Sequence, residues 1–104
     1  MIHLFKEAEK LPTPFEAYRM LQSEQLELIN IELKGGEEIP LHQNSLDVIF
    51  VILCGSGIVT VENSQVTVGP KDLVEIPKGV QRSILNHSPD ILSILVIKKM
   101  TYQK

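Results

Sequence analysis

The sequence predicts an all-β fold in a single domain, a sandwich or barrel, and three features carry that expectation. Short apolar runs, some alternating with polar residues and some continuous, recur along most of the chain. Gly, Pro, Asn and Asp punctuate them, so turns arrive about every 8 to 12 residues, the rhythm of all-β sandwiches and barrels. No segment sustains a helical apolar period for long; the one stretch open to a short helix is Ala17 to Gln25. At 104 residues the chain has room for one core.

Strands are expected near Ile2 to Phe5 and Phe15 to Leu21, so residues 1–25 read as an N-terminal arm packing on the barrel or on a dimer partner. LELINIEL, 26 to 33, alternates and places Ile29, Ile31 and Leu33 on one face. Gly35-Gly36 marks a turn, and Glu37 and Glu38 read as a solvated loop. VIFVILC, 48 to 54, is β-branched and apolar on both faces, a strand covered on two sides. GIVTVENSQVTVGP, 57 to 70, is a hairpin rich in Val and Thr that turns at Glu62 to Gln65. DLVEIP, QRSILN and ILSILVIKK complete the series, separated by PKG and HSPD turns. The barrel then covers residues 26–98, and 99–104 form a C-terminal tail.

Ten basic and thirteen acidic residues leave a net charge of -3 and no cationic stripe, which argues against a nucleic-acid partner. The first residues carry Lys6, Glu7, Glu9 and Lys10 where a secretory signal needs an apolar run, and no segment approaches a membrane helix. A cytoplasmic location without membrane association is expected. The single cysteine, Cys54, excludes an internal disulfide and fits a reducing compartment; its place at the end of an apolar strand predicts a small buried hydrophobe. The runs Val48 to Cys54 and Ile91 to Ile97 are apolar on faces that a lone barrel leaves wet, so a homodimer is expected.

Two stretches carry more than fold. The first is Gly36, then five residues, His42, Gln43, Asn44 and an apolar strand ending at Gly55. The second is PKDLVEIPKGVQRSILN, Pro70 to Asn86, with Asp72, Pro77-Lys78-Gly79 and Asn86 at fixed intervals. With the hairpin between them they resemble the two motifs of the cupin family of small jelly-roll barrels, over about Glu32 to Lys98. The resemblance implies a cupin-like jelly-roll β-barrel.

It also implies a metal site, held in the family by His-x-His, a glutamate and a later histidine. Carried over residue by residue, those positions fall on His42, Asn44, Val48 and Arg82, so one ligand in four remains. Val48 has no lone pair, and Arg82 brings a fixed positive charge to where a cation sits. Asp47 lies next to Val48, but strand parity turns it to the opposite face unless a bulge intervenes. His3 and His87 offer imidazoles elsewhere, with no spacing that asks for them.

The expectation is therefore a kept pocket with altered chemistry and no cofactor: His42, Asn44 and Arg82 around a small anionic or polyhydroxyl ligand, Arg82 taking the anionic group. Two alternatives stand beside it. One is a metal-independent sugar or keto-acid isomerase, epimerase or lyase with His42 as catalytic base, imidazole being the side chain that exchanges protons near neutral pH. By analogy with metal-free sugar epimerases of the broader family, Tyr18 and Tyr102 are its candidate acids. The other is an oxygenase-type protein holding Fe, Mn, Ni or Zn through unconventional ligands.

Overall fold

The computed structural model describes residues 1–100. A single turn of 3-10 helix, Phe5–Glu7, precedes ten strands: β1 (Glu9–Lys10), β2 (Glu16–Gln22), β3 (Leu26–Leu33), β4 (Glu38–His42), β5 (Val48–Cys54), β6 (Gly57–Val61), β7 (Ser64–Val68), β8 (Leu73–Ile76), β9 (Arg82–Leu85) and β10 (Leu92–Lys99). They form two antiparallel sheets, ordered β1-β2-β3-β10-β5-β8 and β4-β9-β6-β7. The crossings between sheets make the jelly roll that the sequence implies. No helix among the described residues is long and apolar enough to cross a membrane.

The core lies between the sheets, where Leu33, Ile52, Leu92 and Ile94 meet Val59 and Ile84 with no exposed surface to speak of. These are the inward members of the alternating runs, which is why β3 buries Ile29, Ile31 and Leu33 together. Asn86 is the polar exception at this end. It is fully buried; its amide nitrogen donates to Leu33 O at 2.8 Å and to Asp90 O at 2.7 Å, and its amide oxygen accepts from Ser88 N at 3.0 Å. One side chain thus closes the HSPD turn onto β3. Gly55 holds the neighbouring corner with φ +82°, and a Cβ there would stand 2.3 Å from Ile91 O. Only glycine fits that approach.

Several local expectations are corrected. Residues 2–5 form no strand; Leu4 and Phe5 carbonyls instead accept from Glu7 and Ala8 amides, so the backbone bonds locally. Ala17 to Gln25 is no helix: Ala17 pairs with Ile31 across β2 and β3, and buried pairing overrides local preference. Glu38 lies in a strand rather than a solvated loop. That strand, β4, sits at a sheet edge, where Pro40 costs no ladder bond. The hairpin turn is tighter than expected, with Val61 paired to Ser64 and Glu62 at φ 55°.

Cys54 is exposed instead of buried. Ile94 pairs with Ile52 and Ser93 with Cys54, so Leu53 is an extra residue in β5. The bulge reverses the alternation and sends Cys54 to the outer face with Ser93. Tyr102 and most of the C-terminal tail lie outside the described residues.

Candidate functional site

One end of the barrel interior is open, and its wall is built where the two motif strands meet. His42 of β4 pairs with Arg82 of β9. Between Ile39, which pairs with Ile84, and His42 the ladder shifts by one residue. In a regular strand Leu41 would share the inward face of Ile39; here Leu41 is 56% exposed and His42 lines the cavity. Asn44 follows at the rim.

The cavity measures about 190 Å³. Its sides are apolar, with Ile29, Ile31, Phe50 and Val96 from the strands and Leu11 and Phe15 from the segment before β2. That segment is held in place by Leu11 N donating to Ala17 O at 2.8 Å and by the Thr13 hydroxyl donating to Phe15 O.

Arg82 is the anomaly. It is 2% exposed, yet its Nε has no partner and its Nη1 reaches only Val80 O at 3.5 Å. No carboxylate among the described residues pairs with it. Loss of hydration pushes the guanidinium below its usual pKa, although arginine stays charged. His42 is better satisfied: Nδ1 lies 2.8 Å from Pro40 O. A carbonyl only accepts, so Nδ1 carries a proton, and in the neutral ring the lone pair is on Nε2. The Asn44 amide oxygen accepts from Leu46 N at 3.0 Å, which leaves its NH₂ group free to donate.

Sequence reasoning missed Lys98, which also lines the cavity. It shares the inward parity of Val96 on β10, the signal that would have found it. Its ammonium lies 3.9 Å from Glu27, whose other oxygen accepts from Arg19 Nε at 2.8 Å, while Arg19 Nη1 bonds Glu9 at 2.7 Å. Two cations and two carboxylates thus balance beside the cavity. The bonds to Glu27 and then Glu9 raise the Arg19 pKa.

The other family positions do not converge. Val48 is fully buried and away from the cavity wall. Asp47 faces outward, as parity required, and its Oδ1 accepts from Lys78 N at 2.8 Å. With Gly79 N donating to Asn44 O at 2.8 Å, this fastens the first motif to the second. His3 and His87 are exposed and line no part of the cavity. Tyr18 is also remote; its hydroxyl donates to Glu16 at 2.7 Å, which lowers the Glu16 pKa and raises that of the tyrosine.

The Cupin domain family model matches residues 29–98, both motifs and the pocket strands included. The chain belongs to the cupin family. No curated protein matches this cupin's sequence. Solved structures do. KdgF from Halomonas sp. superposes with TM-score 0.84 at 18% identity, over 95% of this chain and 93% of that one. A predicted oxalate decarboxylase from Thermotoga maritima gives 0.86 at 19%, over 97% and 100%. An RmlC-like cupin from Methanocaldococcus jannaschii gives 0.79 at 25%, over 95% and 89%.

Proposed function

We propose that this cupin binds a small anionic metabolite in its barrel, with Arg82 as the anchor and without the family's metal. The observation that carries the reading is the buried Arg82, with its Nε unbonded and no carboxylate beside it among the described residues. Taking such a charge out of water costs several kcal/mol unless hydrogen bonds and a counter-charge replace the solvent. Among the described residues the guanidinium has one long bond, to Val80 O, and no counter-charge, and an anion in the cavity provides the rest. A planar carboxylate can take two parallel N–H bonds from the fork.

The donor chemistry of the wall does not fit a divalent ion. His42 Nε2 is its one ordinary metal donor, since the Asn44 oxygen is engaged and Arg82 repels cations. The free Nε2 also supports the second reading, an isomerase, epimerase or lyase with His42 as base. That chemistry needs an acid as well; no tyrosine or carboxyl group lines the cavity among the described residues, and the Lys98 ammonium there is paired with Glu27. Binding is therefore the better-supported reading.

Calorimetric titration of the metal-free protein with small carboxylates tests it. Saturable binding should weaken by about 1.5 to 3 kcal/mol in Arg82→Met, the worth of a charged hydrogen bond. Unchanged binding in that variant ends the proposal.

We also propose that the protein is a homodimer formed through the outer face of its six-stranded sheet. Leu53 and Leu95 stand on that face, and Phe5 joins them by an edge-on contact with Tyr18 at 5.0 Å between ring centres. Beyond Phe5, Met1 and Ile2 are fully exposed, an apolar arm suited to reach a second copy of the same surface. Asn30 Oδ1 is buried in that face without a donor.

A further inference from the structure

The cavity says more about its ligand than the sign of the charge, and the inference rests on the anion-binding reading above. We infer that the ligand is a small monocarboxylate with an apolar body, rather than a sugar acid, a polyol or a phosphate.

Three observations narrow the class. The first is charge. Lys98 and Arg19 are matched by Glu27 and Glu9, so among the described residues Arg82 is the one uncompensated charge at the cavity. One fixed positive charge calls for one negative charge. A phosphate dianion would leave charge and acceptor oxygens unmet, because Lys98 would have to leave Glu27 to reach it.

The second is the count of hydrogen-bonding groups. His42 Nδ1 and the Asn44 oxygen are already engaged, and the Thr13 hydroxyl is committed to Phe15 O. Beyond Arg82, and with the Lys98 ammonium drawn to Glu27 at 3.9 Å, the wall offers His42 Nε2 as acceptor and the Asn44 amide as donor. A polyhydroxyl chain carries more donors and acceptors than that, and each one buried unmet costs free energy.

The third is the apolar wall itself. Phe15, Ile29, Ile31, Phe50 and Val96 surround the space into which the guanidinium opens. An alkyl or aryl group gains by burial there, in proportion to the apolar area it removes from water. The volume of about 190 Å³ equals roughly six water volumes at about 30 Å³ each. That suits a carboxylate with a chain of four to six carbons.

The test is calorimetry on the full chain with pentanoate, heptanoate, pentanamide, gluconate and inorganic phosphate, repeated on Arg82→Met and Phe15→Ala. Pentanoate should bind at one site per chain; pentanamide should bind about tenfold or more weaker for loss of the charged hydrogen bond, and gluconate and phosphate about tenfold or more weaker because their further hydroxyls or charge go unmet. Phe15→Ala removes part of the apolar wall and should shift the preference from pentanoate toward heptanoate. If gluconate or phosphate binds as tightly as pentanoate and that binding vanishes in Arg82→Met, the anion site stands and the apolar class is overturned. If pentanamide matches pentanoate, or no anion binds, the anion-binding reading falls with it. The pentanoate and pentanamide comparison needs no variant, so poor folding of Arg82→Met would not shelter the proposal.

Discussion

His42 and Arg82 are register partners on adjacent strands, although they come from motifs forty residues apart. Two polar groups of the cavity wall are therefore set at a single rung of one ladder, and both side chains leave it toward the same space. Neither is held by the other: His42 bonds Pro40, and Arg82 has one long contact to Val80. Such a wall is set for a third party.

If Arg82 is kept for ligand and not for fold, the unliganded protein should become more stable without it. Arg82→Met preserves much of the aliphatic stem and removes a buried charge, and replacing buried ionic groups by apolar ones gains about 1 to 4 kcal/mol. Urea unfolding of wild type and variant measures this. A loss of stability would mean that the guanidinium has a partner within the fold.

Asn86 has the opposite role. Asn86→Ala leaves the Leu33 and Asp90 carbonyls and the Ser88 amide without their partner at a fully buried position. A cost of roughly 2 to 4 kcal/mol is expected from the unsatisfied groups. Thermal unfolding should show it, while affinity for an anion stays within about twofold, because Asn86 does not line the cavity.

Gly55 and Gly36 separate two kinds of glycine requirement. Both have positive φ, +82° and +87°, but a Cβ at Gly55 would meet Ile91 O at 2.3 Å whereas one at Gly36 would meet nothing within 4 Å. Gly36→Ala should cost about 1 to 2 kcal/mol, the strain of a left-handed residue. Gly55→Ala adds a backbone collision that cannot relax through a side chain, so it should cost more than twice as much or prevent folding. Equal effects would show that the corner at Gly55 can move.

The homodimer is tested by sedimentation at micromolar concentration. Leu53 is 48% exposed on the outer face, and Leu53→Glu should shift the protein to monomer without loss of fold. A monomeric wild type would remove the proposal, and with it the account of the exposed Met1 to Phe5 arm.

Much of the fold was legible because inward residues alternate so plainly: Ile29, Ile31 and Leu33, or Leu92, Ile94 and Val96, announce their faces by period alone. Where a bulge resets the alternation, parity misleads. Cys54 was expected inside and lies outside for that reason, and β4 was hidden because Glu38 and Pro40 resemble loop residues on an edge strand with one buried position, Ile39. Within the site, the motif spacing brought His42, Asn44 and Arg82 together. Lys98 escaped notice because a lysine near a strand end reads as solvated, and its tether to Glu27 is a tertiary fact. Leu11 and Phe15 escaped because nothing local shows that their segment folds over the cavity.

The extra residue between Ile39 and His42 sits in a strand with a neighbour on one side only. Adding or removing a residue there disturbs no ladder beyond β9, and the core stays where it is. The barrel's rim is thus the place where descent can alter ligand preference by insertion and deletion, exchanging the group that faces inward while every buried side chain of the scaffold remains unchanged.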